Sequence, residues 1–75
     1  MIKNKVKIEG SNQISEIAYD QDSENLYVKF VRGSWYEYSG VPLSVYAEFL
    51  ASESKGSYHY RNIKGKYLYR QVKDE

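Results

Sequence analysis

Three short segments in the first half of the chain alternate apolar and polar residues with a period of two, the repeat of a β-strand with one buried face. They are residues 14–19, 26–31 and 35–39. The turn that joins the first two contains no apolar residue, and Gly33, suited to a positive φ, lies in the tight turn between the last two. Short strands joined by such turns predict an antiparallel β-meander.

The apolar period changes after Pro42, a residue whose missing N–H is tolerated in the first turn of a helix. Apolar side chains then follow at the i, i+3, i+4, i+7 spacing of one helical face, which Phe49 widens. The residues with this spacing are Leu43, Tyr46, Ala47 and Leu50. Because a helix and a meander each need a partner for their apolar side, we expect this helix to lie across one face of the sheet.

These patterns predict a small α+β fold, with a meander of three to four strands packed against one main helix. The aromatic residues on the apolar stripes are expected in its core. They are Phe30, Trp35, Tyr46 and Phe49. Tyr19 is expected to pack inward while its hydroxyl holds the following turn.

The C-terminal stretch Lys55–Lys73 contains six Lys or Arg, four Tyr and the single His of the chain, and it contains no acid. Residues 16–53 carry the opposite charge, with seven acids against two basic residues, so the net charge of +1 conceals a dipole. Within the stretch we predict a short second helix or turn at about residues 56–63 and an extended segment at residues 66–72. We expect half of its tyrosines to pack on the domain and half to present their rings to a ligand.

The first ten residues also alternate, with Ile2, Val6 and Ile8 on one face and three lysines on the other. This pattern predicts a half-buried edge strand whose lysines discourage further pairing. The alternative is a partly disordered basic arm, since chain ends often fray. In either case we assign residues 1–10 to an N-terminal strand or arm and residues 11–73 to a single domain.

The composition excludes several classes of protein. Seventy-five residues make a domain with a marginal core, so we expect efficient packing or a homo-oligomer. With no Cys and one His, the chain offers no thiolate site and no His-based metal site, and we expect no cofactor. No apolar run approaches the roughly 20 residues of a membrane span. Since the lack of Cys fits a reducing compartment, we expect a cytoplasmic protein, in the host cytoplasm if a phage encodes it.

We do not expect an enzyme. A hydroxyl nucleophile usually needs a base and an orienting group, and the only imidazole, His59, has no acid near it in the C-terminal stretch. Asp20, Asp22 and Glu24 form a carboxylate cluster, but they fall in a solvated turn. The Gly-Lys pairs lack the longer glycine-rich span of a phosphate-binding loop.

An ordered set of short motifs, spread over residues 11–72, resembles the KTSC domain family. The motifs are Ser11-Asn12, Ile17-x-Tyr19-Asp20, Leu26-x-Val28-x-Phe30-x-x-Gly33, Tyr36-x-Tyr38-x-x-Val41-Pro42, Tyr46, Ser52-x-Ser54-Lys55-Gly56-x-Tyr58, Ile63-Lys64 and Tyr67-x-Tyr69-Arg70. The family is named for its occurrence at the C-terminus of some lysyl-tRNA synthetases, and free-standing copies of this size are common in bacteria and their phages.

The resemblance implies a compact α+β module that is not an enzyme, and a link to nucleic acid through tRNA charging. The link is an analogy, because a family alone does not fix function. This chain departs from the family after Tyr58, where an aromatic residue followed by Asn is typical and His59-Tyr60 stands instead. If that pair belongs to a ligand site, the specificity of this copy differs from that of its relatives.

Basic side chains interleaved with flat rings suit a phosphate backbone whose bases can stack. The residues that we predict to bind a ligand are Lys55, Gly56, Tyr58, His59, Tyr60, Arg61, Lys64, Lys66, Tyr69 and Arg70. The cations would contact phosphates, while Tyr58, His59 and Tyr60 would offer stacking surfaces. Lys3, Lys5 and Lys7 could extend this basic edge.

We therefore expect a non-catalytic module that binds nucleic acid, either RNA or single-stranded DNA. The alternative is a phage-type protein that sequesters a nucleotide signal or blocks a host protein, acting as a homo-oligomer that holds the ligand between copies. A third hypothesis is that the protein docks onto another protein through the acidic face of the meander.

Overall fold

A five-stranded antiparallel meander is the frame of the structure, a computed structural model that describes residues 2–74. The elements in chain order are strands β1 (Val6–Lys7), β2 (Ile14–Asp20), β3 (Asn25–Phe30) and β4 (Trp35–Tyr38), helices α1 (Leu43–Ala51) and α2 (Lys55–Tyr58), a π-helical turn (His59–Ile63) and strand β5 (Tyr69–Val72). Each strand pairs with the next along the chain. The α+β meander with one main helix is confirmed, and the N-terminal and C-terminal segments join it as outer strands.

The main core lies between the sheet and the helical layer. Its fully buried side chains come from β2, β3, the segment before α1, α1 itself and the π-helical turn. Among them are Leu26 and Val28, whose alternation predicted this face. Tyr19 stacks on Tyr46 of α1, with ring centroids 4.5 Å apart, and its hydroxyl donates to the carbonyl of Val41 at 2.6 Å. That hydroxyl therefore holds the chain before α1, rather than the turn that follows Tyr19.

A second, smaller cluster covers the opposite face of the sheet. Trp35 is buried there with Ile2 and Ala18, so it belongs to a core separate from the one that we predicted for it. The Ile2 N–H donates to a carboxylate oxygen of Asp74 at 2.9 Å, and Lys5 pairs with the same side chain. The two ends of the described chain therefore hold each other against this face.

The N-terminal edge strand is confirmed, but its predicted face is wrong. Asn4 has a φ of 57°, a left-handed conformation that interrupts the extended run. Ile2 consequently packs in the second cluster while Ile8 packs against the main core, and Val6 is 39% exposed. Met1, the first residue of the predicted segment, lies outside the described residues.

The predicted buried stripe of α1 is wrong in part, because Tyr46 and Phe49 pack inward as expected but Leu43, Ala47 and Leu50 are exposed. The helix buries Phe49 completely and half-buries Val45 and Tyr46, whereas Leu43 and Leu50 are 47% and 41% exposed. The sequence permits either face of α1 to be buried, because apolar side chains lie on most sides of this nine-residue helix. The burial of Phe49 in the main core, with Val45 and Tyr46 packed beside it, sets the face that the sheet covers. In residues 2–74, no helix combines the length and apolar character needed to cross a membrane.

The position of Phe49 gives a direct test of this helix orientation. We expect Phe49→Ala to lower the free energy of unfolding by about 3–5 kcal/mol, since it empties a fully buried site. Leu50→Ala, one position along on the exposed face, should cost less than about 1 kcal/mol. Urea denaturation followed by circular dichroism measures both. Equal losses would contradict the assigned face.

Candidate functional site

An open cleft of about 540 Å³ lies where the helical layer stops short of the end of the sheet. The sheet side of the cleft comes from β3, β4, the turn between them and β5, which pairs with β4. The other side comes from the π-helical turn and the two residues that follow it. The residues that line it are Gln13, Phe30, Arg32, Ser34, Tyr36, Tyr38, His59, Tyr60, Lys64, Gly65 and Tyr69. Because six of these residues are aromatic, we name this feature the aromatic cleft.

A hydrogen-bonded pair, Tyr38 and His59, forms part of the cleft lining. Tyr38 Oη and His59 Nε2 are 2.8 Å apart, and both side chains are buried. The imidazole also makes edge contacts with the rings of Phe30 and Tyr38, at centroid distances of 5.2 and 5.4 Å. His59 is therefore held in place from two sides, and its ring is not the free stacking surface that we predicted.

Both members of this pair are neutral at neutral pH. Burial, together with the nearby charge of Lys64, lowers the pKa of His59 to about 4. Burial also raises the pKa of Tyr38 to about 12, with smaller contributions from Tyr69 and Tyr36. The pair thus adds polarity to the cleft but no charge.

The π-helical turn decides which side chains reach the cleft. The backbone N–H of Lys64 donates to the carbonyl of His59 five residues earlier, at 2.8 Å, so this turn is wider than an α-helical one. His59 and Ile63 point into the protein, while Tyr60 stays 69% exposed. Single π-helical turns occur frequently at functional sites. Here the turn brings a buried imidazole and an exposed ring to the same cleft.

Two tyrosine rings at the cleft are accessible to a ligand. Tyr60 is 69% exposed, and the Lys64 amino group lies 5.3 Å from its ring centroid. Tyr69, on β5, is 61% exposed and leans on Tyr38 and Tyr36, with centroid distances of 5.6 and 6.0 Å. One face of each ring is thus supported by the protein. A flat ligand could stack on the other face.

The charge of the cleft is positive. Within residues 2–74 its lining includes two cations, Arg32 and Lys64, and no carboxylate. Gly65 follows Lys64 with a φ of 80°, and its backbone N–H has no hydrogen-bond acceptor in the described chain. A lysine beside a free backbone N–H is an arrangement that suits an anion. No group of three or more His, Cys, Asp or Glu in residues 2–74 could hold a metal ion.

The structure brings only part of the predicted ligand set to this cleft. The predicted residues that line it are His59, Tyr60, Lys64 and Tyr69. Arg61 and Lys66 are exposed outside its lining. The lysines of the N-terminal segment precede or belong to β1, at the other edge of the sheet, and do not extend the cleft.

Lys55, Gly56 and Tyr58 do not line the cleft, and each has a structural contact. The Lys55 amino group donates to the carbonyl of Ser52 at 2.6 Å. A Cβ on Gly56 would lie 2.6 Å from Gln13 Oε1, so glycine permits this close approach. Tyr58 stacks on Phe49 and donates its hydroxyl to Glu48 at 2.7 Å.

Arg70 is separated from the predicted row of cations by the sheet itself. It lies opposite Glu37 in the β4–β5 pairing, while Tyr69 lies opposite Tyr38. Since successive residues of a strand point to opposite faces, Arg70 points away from the cleft. Its guanidinium donates to Glu37 at 2.9 Å, and Glu37 also accepts a hydrogen bond from Tyr27.

The other lining residues were absent from the predicted ligand set. They are Gln13, Phe30, Arg32, Ser34, Tyr36, Tyr38 and Gly65. The shared face of Phe30, Tyr36 and Tyr38 was visible in the alternation of β3 and β4. What the sequence did not show is that the helical layer leaves the end of this face uncovered.

Comparison with known proteins agrees with the fold. The KTSC domain family matches residues 10–67, and this chain belongs to that family. A crystal structure of a KTSC domain protein from Yersinia pestis superposes with a TM-score of 0.86 at 34% identity, covering 93% of this chain and 97% of that one.

Lysine–tRNA ligases from Trichormus variabilis and from a Nostoc species (strain PCC 7120) are 43% and 40% identical to this chain over 67 residues. These matches cover 89% of this chain. The chain spans only 12% of the length of each ligase.

The buried imidazole predicts a pH-dependent stability. The His59 pKa is lowered from 6.5 to about 4 in the folded protein, so between these values the unfolded chain binds a proton that the folded chain does not. Stability should therefore fall as pH decreases from 6.5 to 4, by about 2–3 kcal/mol in total. Urea denaturation at several pH values measures this loss. NMR titration of the single histidine gives its pKa directly.

His59→Gln is the matched variant, because glutamine cannot take up the proton. We expect its stability to change much less over the same pH window. A histidine that titrates near 6.5, or equal pH dependence in the two proteins, would refute the assignment.

Proposed function

We propose that this KTSC domain is a non-catalytic module that binds single-stranded nucleic acid, RNA in the first instance, through the aromatic cleft. The observation that carries the proposal is the combination of exposed tyrosine rings with two cations in a cleft without carboxylates. Rings offer stacking to any base, and cations attract the phosphates between bases.

The size of the cleft favours a single strand. About 540 Å³ is within the range of pockets that enclose one small organic molecule, roughly 300–1,000 Å³. One nucleotide fits such a volume, whereas a base within a duplex keeps its faces stacked on its neighbours. A base on Tyr60 or Tyr69 must therefore come from an unpaired strand.

The phosphate position follows from the cations. The amino group of Lys64 lies against the ring of Tyr60, and the free backbone N–H of Gly65 follows directly in the chain. A phosphate at this position would contact the Lys64 amino group and the Gly65 N–H, while the attached base would stack on the Tyr60 ring. Arg32 lies on the β3–β4 turn across the cleft and suits the next phosphate along the strand. The relatives favour RNA, since they are named as ligases that act on tRNA.

Binding to fluorescein-labelled RNA of roughly eight nucleotides, measured by anisotropy at several salt concentrations, tests the proposal. We expect Tyr60→Ala to weaken binding by about 1–3 kcal/mol, the contribution of one stacked base. Lys64→Ala should weaken binding and reduce the slope of log K against log salt by about 0.7, the contribution of one phosphate.

Lys7→Ala is the matched control for Lys64→Ala. It removes the same charge on edge strand β1, where Lys7 lies opposite Glu16 and outside the cleft. We expect its affinity and salt slope to match those of the wild type. The proposal fails if no RNA or single-stranded DNA binds at low salt, or if Lys7→Ala and Lys64→Ala have equal effects.

A second candidate function is capture of a free nucleotide by a homo-oligomer. The observation that favours it is the outer edge of β5, which pairs with no other strand in residues 2–74 and carries Tyr69 of the cleft. A second copy paired along this edge would bring two clefts together. Sedimentation combined with a thermal-shift screen distinguishes the two functions. A monomer that is stabilised only by oligonucleotides excludes nucleotide capture. An oligomer that is stabilised by one small nucleotide excludes the strand-binding module.

A further inference from the structure

Gln13 supplies a carboxamide at the aromatic cleft that has no partner within the described residues. Its exposed side chain lines the cleft and also the hollow beside Gly56, and neither its oxygen nor its nitrogen forms a hydrogen bond with residues 2–74. The hydroxyls of Tyr36, Tyr60 and Tyr69 also form no hydrogen bond with residues 2–74, whereas the remaining neutral polar side chains of the lining are paired. Tyr38 and His59 bond to each other, and Ser34 accepts a hydrogen bond from Gln71 at 3.4 Å.

The backbone of Gln13 is fixed, although its side chain is free. Its N–H donates to Ser11 Oγ at 3.2 Å, and its carbonyl accepts from the N–H of Val31 at 2.9 Å. These bonds tie the residue to the turn before β2 and to the end of β3. The carboxamide therefore extends from a rigid base, which reduces the entropy lost when it binds a ligand.

Gly56 provides the space in which this side chain lies. A Cβ at position 56 would be 2.6 Å from Gln13 Oε1 and 3.0 Å from its Cδ, closer than side-chain atoms can approach. Gly56 is not in a left-handed conformation, so backbone freedom does not require glycine there. Position 56 instead requires glycine because the Gln13 side chain occupies the space beside it.

We infer that Gln13 is a specificity-determining residue of the cleft, whose carboxamide binds the edge of the stacked base, and that Gly56 positions it. A carboxamide offers an acceptor and a donor side by side, the pattern that also appears on the edges of nucleobases. Arg32 and Lys64 have no acceptor atoms and suit phosphates instead. This inference rests on the proposed function and assigns the base contact within the same site.

The test compares two probes of equal charge and length: the labelled RNA of roughly eight nucleotides and an abasic ribose-phosphate oligomer. Gln13→Met keeps the length of the side chain but removes the amide. We expect it to weaken binding of RNA by about tenfold and binding of the abasic oligomer by less than about twofold. Gly56→Ala should retain the melting temperature and weaken RNA binding in the same selective way, because it displaces the Gln13 carboxamide.

Asn12→Ala is the matched control, since it removes a neighbouring carboxamide that does not line the cleft. We expect wild-type affinity for both probes. The inference is overturned if Gln13→Met binds RNA as tightly as the wild type, or if it loses affinity equally for both probes. If the wild type binds neither probe, the proposed function itself fails, and this assignment fails with it.

Discussion

The contact between Tyr38 and His59 joins the two layers of this domain. It links β4 to the π-helical turn through a 2.8 Å hydrogen bond and places a neutral imidazole against Phe30. A buried polar group without a partner would cost about 1–3 kcal/mol, so each side chain requires the other. Together with the fully buried Phe49 and Ile63, this pairing holds the helical layer over the sheet and places the π-helical turn beside the cleft.

The sheet separates the charges of the chain into two environments. On one face, the cleft combines tyrosines with Arg32 and Lys64. On the other, Glu37 accepts hydrogen bonds from Arg70 and Tyr27. A stretch that is basic in sequence is therefore basic in space only in part, because β5 sends alternate side chains to opposite faces.

Several motifs that identify the family have structural roles in this protein. Ser11 Oγ accepts hydrogen bonds from the N–H groups of Gln13 and Ile14, which fixes the start of β2. Ser54 Oγ accepts one from Ser57 and caps α2. Gly56 allows the approach of Gln13. The family resemblance therefore predicts the fold, whereas these motif residues hold the chain together and need not touch a ligand.

The alternation of residues 26–31, the tight turn at Gly33 and the change of period after Pro42 determined the meander and its helix from sequence alone. These are local signals, because strand and helix periods follow from backbone geometry. The face of α1 was not determined, since apolar residues surround the helix and only its packing on the sheet buries the side with Val45, Tyr46 and Phe49.

The candidate site, likewise, could be predicted from the sequence only in part. The sequence located Tyr60, Lys64 and Tyr69 in a basic, aromatic stretch, but the residues that meet them there, Gln13 to Tyr38, come from strands and turns much earlier in the chain. Their meeting depends on strand pairing and on where the helical layer ends. Both are long-range packing outcomes, so only the tertiary structure could decide that His59 is buried, that Arg70 lies on the far face and that Gln13 reaches the cleft.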